Sequence, residues 1–83
     1  MDMENLWTKA HQFILDSKEG DFYMDGDKKV SVVRRSPKRI YFSNGEFVTV
    51  KESKGGDFFY LYGRNVNQVL RDIEGYLLYL IHS

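Results

Sequence analysis

The chain contains no cysteine, one proline, no long apolar run and no excess of either charge. Without cysteine there is neither a disulfide framework nor a thiolate zinc site, which suits a reducing compartment. The lone Pro37 has a fixed φ and no N–H, so it belongs in a turn and not in a central strand. No stretch approaches the roughly 18 apolar residues that a membrane-spanning helix needs. Residues 1–15 carry Asp2, Glu4 and Lys9 and lack a basic segment followed by an apolar block, so they do not read as a signal peptide. The expectation is a cytoplasmic protein with no membrane partner.

What is present suffices for one core. A chain of 83 residues buries roughly 60–65% of the surface it exposes when unfolded, so residues 1–83 are read as a single domain. Apolar residues make up 42% of it, too much for a disordered tail, and aromatics 16%. Charge is sorted into blocks. Residues 1–27 hold seven acids against Lys9 and Lys18, a net of −5. Residues 28–39 hold Lys28, Lys29, Arg34, Arg35, Lys38 and Arg39 with no acid, a net of +6, and the remainder nets −1.

Met3, Leu6, Trp7, Ala10, Phe13 and Ile14 recur at helical steps and predict a helix over 3–18, with Asp2 as N-cap and Gly20 at the C-terminal end. After Asp21 the period changes. Asp25-Gly26, Asn44-Gly45, the Pro37 break and Gly55-Gly56 separate runs of β-branched and aromatic residues. The runs are 22–24, 29–35, 39–43, 46–52 and 58–62, the first of them short. Their connections are too short for crossovers and imply an antiparallel meander of three to five strands. The Asn44-Gly45 hairpin has two open registers: a two-residue turn pairs Phe42 with Phe47, and a bulged three-residue loop pairs Phe42 with Glu46. Asn65 and Gln68 have capping-box spacing at the start of a last helix. Its apolar stripe is Val66, Val69, Leu70, Ile73, Leu77, Leu80 and Ile81.

The expected fold is therefore α+β: an N-terminal helix, the meander and a C-terminal helix, both helices packed on one face of the sheet. In element order and size this is similar to the double-stranded-RNA-binding domain, αβββα. That family's second helix begins with a lysine-rich phosphate-binding motif, and Asn65-Val66-Asn67-Gln68 contains no lysine. The likeness extends to architecture alone.

No residue pattern points to catalysis, a cofactor or a metal. His11 and His82 are the only histidines and share no ligand spacing. The acids from Asp16 to Asp27 do not fit a calcium loop, and a solvated acidic loop is the simpler reading. Gly55-Gly56 lacks the Lys-Ser/Thr of a phosphate loop.

Three surfaces remain. The basic segment Lys28, Lys29, Arg34, Arg35, Lys38 and Arg39, with Tyr41 behind it, suits a nucleic-acid backbone or an acidic partner. A solvated hairpin tip is the plain alternative, and a pI near 6.7 lacks the basic excess usual in nucleic-acid binders. The runs containing Phe59, Tyr60 and Tyr62 are apolar on both alternating sets, more than a sheet covered on one face needs. Gly75, Tyr76, Leu78 and Tyr79 lie on the back of the last helix, where a mid-helix glycine suggests a close contact in the core or in a homodimer. The expectation is a non-enzymatic protein–protein interaction module, a small accessory regulator or inhibitor of the phage or mobile-element type, acting by occlusion or bridging. The alternative is a nucleic-acid-binding domain using the basic hairpin 28–39 with aromatic stacking.

Overall fold

The computed structural model describes residues 3–82. Its elements are α1 (Met3–Asp16), β1 (Phe22–Asp25), β2 (Lys28–Arg35), β3 (Arg39–Phe42), β4 (Phe47–Glu52), β5 (Phe59–Tyr62) and α2 (Val66–His82). The five strands form one antiparallel sheet in sequence order, and both helices pack on one face of it. Even the short run at 22–24 is a strand, extended by Asp25. Ala10 and Ile14 of α1 and Val69, Leu70 and Ile73 of α2 meet Tyr23, Val30, Val32, Ile40, Phe42 and Val48 in a single buried cluster. Asp2, read as the cap of α1, lies outside the described residues.

The β3–β4 hairpin takes the bulged register. Gly45 donates to the Phe42 carbonyl (3.1 Å), the Phe42 N–H donates to the Glu46 carbonyl (2.8 Å), and Ile40 lies opposite Val48. Gly45 sits at φ +90°, a conformation that a side chain disfavours. This register carries Val48 and Val50 to the Ile40 side, under the helices, and sends Phe47 to the other face.

Helix α1 stops at Asp16, two residues before the periodicity suggests. Ser17 closes its last turn, donating to the Ile14 carbonyl from both its N–H (3.2 Å) and its hydroxyl (2.7 Å). A second cap comes from across the core. The ladder between β2 and β3 pairs Val32 with Phe42 but Arg34 with Tyr41, so Val33 is an extra residue in a bulge. Beyond it the alternation is shifted. Arg35, opposite Ile40, turns to the helix side and donates to the carbonyls of Ile14 (3.4 Å) and Leu15 (3.1 Å). The guanidinium adds a donor at these two terminal carbonyls, the first of which Ser17 already serves, and complements the negative end of the helix.

At the start of α2, the side chains of Asn65 and Gln68 do not form a capping box. Asn65 donates to the Glu46 carboxylate (2.7 Å) and Gln68 to Asp72 one turn on (2.9 Å). The apolar stripe of α2 is also only partly used. Val69, Leu70 and Ile73 are buried, whereas Leu80 and Ile81 in the last turn are exposed.

Candidate functional site

Antiparallel partners share a face, so the ladder registers define the side of the sheet turned from the helices. On it lie Lys29, Ser31, Arg34, Arg39, Tyr41, Phe47, Thr49, Lys51, Tyr60 and Tyr62; Phe22 and Met24 of the edge strand share this parity but reach α2, Phe22 at Tyr76 and Met24 in the cleft beside Gly75. Both acids borne by strands, Asp25 and Glu52, fall on the helix side. The open face therefore presents cations and aromatic rings without a carboxylate among its strand positions.

These groups are interleaved. The Arg39 guanidinium lies 5.0 Å from the Phe47 ring centre and 5.9 Å from that of Tyr41, and its Nη1 donates to the Tyr41 hydroxyl (3.2 Å). The Arg34 guanidinium lies 5.8 Å from the Tyr41 ring centre. The Tyr41 and Phe47 rings are themselves 5.9 Å apart. Toward the sheet edges, Lys51 sits 4.3 Å over Tyr62 and Lys29 sits 4.5 Å over Phe22. Contacts of this kind hold a cation over a ring's negative face and fix its position.

The six cations of segment 28–39 are thus not one patch. Lys28 and Lys29 are at the start of β2, and Lys28 pairs with Asp25 across the β1–β2 turn. Arg34, Lys38 and Arg39 are at the far end, where Ser36 and Arg39 close the turn through Pro37 (Ser36 N–H to the Arg39 carbonyl, 2.9 Å). Arg35 is turned inward as the cap of α1. Arg34, Arg39 and Tyr41 are brought together, and Phe47 and Lys51 join that surface. Both were hidden from sequence reasoning by the open hairpin register, which decides the face of every β4 residue.

The aromatic strand β5 is exposed throughout, with Leu61 half-buried. Phe58, Phe59, Tyr60 and Tyr62 are 62%, 59%, 42% and 58% exposed. On the back of α2, Leu78 and Tyr79 are exposed and Tyr76 is half-buried. Gly75 does not mark a close contact within the chain, because a Cβ built there meets nothing within 4 Å. It lines a cleft of about 460 Å³ between α2 and the β1–β2 turn, together with Tyr76, Tyr79, Asp25, Arg71 and Asp72. Burial raises the Asp72 carboxyl above its ordinary range, with Asp25 adding to the shift and the Gln68 hydrogen bond opposing it. Close by, the buried Tyr23 hydroxyl has no hydrogen-bond partner among the described residues, and burial with the nearby Asp72 pushes its pKa up.

His11 is accounted for structurally: its Nδ1 donates to the Trp7 carbonyl (2.8 Å) and its ring meets Trp7 edge-on at 4.9 Å. Among the described residues no group of three or more His, Asp or Glu side chains is placed to hold a metal ion, and no helix is long and apolar enough to cross a membrane. Comparison with protein families, with characterised proteins and with solved structures gives no match.

Proposed function

We propose that the protein is a non-enzymatic binding module working through protein–protein contact, an accessory regulator or inhibitor that occludes or bridges its target. The observation that carries this reading is the concentration of accessible aromatic surface on β5. Large aromatic side chains supply most of the binding energy where interfaces have hot spots. The cations of the adjoining face, Arg34, Arg39 and Lys51, would orient an acidic partner during approach. The test is affinity capture from the native host with the wild type and with a Phe59→Ala/Tyr62→Ala variant. A partner retained by the wild type and lost by the variant is expected. A strictly monomeric wild type that retains nothing overturns the reading.

A second reading is favoured by the Arg34–Tyr41–Arg39–Phe47 cluster, which offers guanidinium groups and rings on an acid-free face: binding of single-stranded nucleic acid. It requires affinity that falls steeply with salt, with a slope of about −0.7 per phosphate neutralised. It also requires loss of binding in Arg34→Glu/Arg39→Glu/Lys51→Glu. Arg35 is excluded from that variant because its guanidinium caps α1. An oligonucleotide that fails to bind at low salt rules this reading out.

A further inference from the structure

We propose that β5 pairs with β5 of a second copy of this chain, antiparallel across a two-fold axis, so that two five-stranded sheets join edge to edge. The proposal rests on the protein–protein reading above and names the partner.

The first support is the direction of the backbone groups. Successive residues of an antiparallel strand address opposite neighbours. Val50 donates to Lys38 beyond β3 (2.8 Å), and Ser53 donates to Phe58 (2.8 Å). Thr49, Lys51 and Ser53 therefore address β5, and their partners Tyr62, Tyr60 and Phe58 look back toward β4. The N–H and C=O groups of Phe59 and Leu61 are left pointing outward along the free edge.

The second support is the absence of protection. Soluble proteins blunt an edge with lysine, proline, a bulge or a covering element. The run 58–62 has no charge and no proline, and its register against β4 is unbroken. The other edge of the same sheet is treated differently. α2 lies alongside β1, and Tyr76 of the helix comes within 6.4 Å of the Phe22 ring.

The choice of a second copy follows from charge. Asp57 precedes the uncharged run and Arg64 follows it. Antiparallel pairing of two identical strands brings Asp57 of each copy toward Arg64 of the other, whereas parallel pairing sets like against like. A two-fold axis perpendicular to the sheet also keeps open face beside open face. In the register that pairs the outward-facing Phe59 with Leu61 of the other copy, Tyr60 meets Tyr60 on the open face and Phe59 meets Leu61 on the helix side. Aromatic cross-strand pairs are among the favourable ones.

The test is solution mass by sedimentation over a dilution series. The wild type is expected to dimerise. Phe59→Pro removes an outward N–H that the β4 ladder does not use, at the first position of the strand, where proline is tolerated. Because a two-fold interface carries each change twice, self-association should weaken by about tenfold or more while the far-ultraviolet spectrum is unchanged. Asp57→Arg and Arg64→Asp should each weaken the dimer, and the double swap should restore it. A wild-type monomer at every concentration, or a Phe59→Pro variant that remains fully dimeric, overturns the proposal. If the monomeric wild type still captures a host protein through β5, the protein–protein reading survives the loss of self-pairing. If it captures nothing, both fall.

Discussion

The two ends of the sheet are built from similar residues and treated in opposite ways. At the β1–β2 end, Tyr23, Val30 and Val32 are buried, and α2 runs along the edge strand. At the β5 end no residue is buried, although Phe and Tyr are denser there than anywhere else in the chain. Tyr23 is 1% exposed and Tyr62 is 58% exposed. Residue type does not decide between them; the reach of the helix layer does. Two helices cannot cover five strands evenly, and the uncovered strand is the one with the most to bury.

The contrast can be broken most sharply with phenylalanine. Phe42→Ala, in the covered core, should cost about 3–5 kcal/mol in urea unfolding. Phe59→Ala, on the open strand, should change stability by no more than about 0.5 kcal/mol in the monomer. A large loss at Phe59 would mean that β5 is covered after all. Neighbouring arginines give the next test. Arg35→Ala leaves the last carbonyls of α1 without their guanidinium and should cost about 1–3 kcal/mol, with α1 amides exchanging faster. Arg34→Ala, on the open face, should be within about 0.5 kcal/mol of the wild type.

Hydroxyl deletion compares the two ends with a gain in place of a loss. Tyr23→Phe removes a buried hydroxyl that has no partner among the described residues and should raise stability by about 1 kcal/mol. Tyr62→Phe should leave the unfolding midpoint where it was. The same division between covered and open surface runs along α2. Gly75→Ala has open space for the new methyl group, and should raise stability by somewhat under about 1 kcal/mol through helix propensity alone. A decrease in solution mass or a loss of partner capture in that variant would instead point to a close approach on the helix back.

Much of the fold was legible in the residues, because periodicity and turn chemistry agree locally. Helical spacing marks both helices, and each Gly- or Pro-bearing break falls between two strands. What was not legible depends on parity and on distant partners. The face of Phe47 and Lys51 depends on one residue of hairpin length at Ser43-Asn44-Gly45. Strict alternation along β2 would send Arg35 outward, and only the bulge at Val33 turns it to α1. Asn65 and Gln68 matched a capping motif in spacing, yet Glu46 and Asp72 offered their amides charged acceptors. The exposure of Leu80 and Ile81 depends on what the rest of the chain places against the last turn of α2, which no helical pattern records.

Val33 has a consequence of its own. It makes β2 one residue longer than its ladder with β3 requires. Deleting it would leave Arg34 opposite Tyr41 and Arg35 opposite Ile40, with every side chain on its present face. Deleting Val32 gives the same sequence, because Val33 then takes its place opposite Phe42. Loss of one residue in this strand is therefore absorbed at the Val32-Val33 pair. A shortened chain should keep its register and lose mainly the added local twist that a bulge imparts.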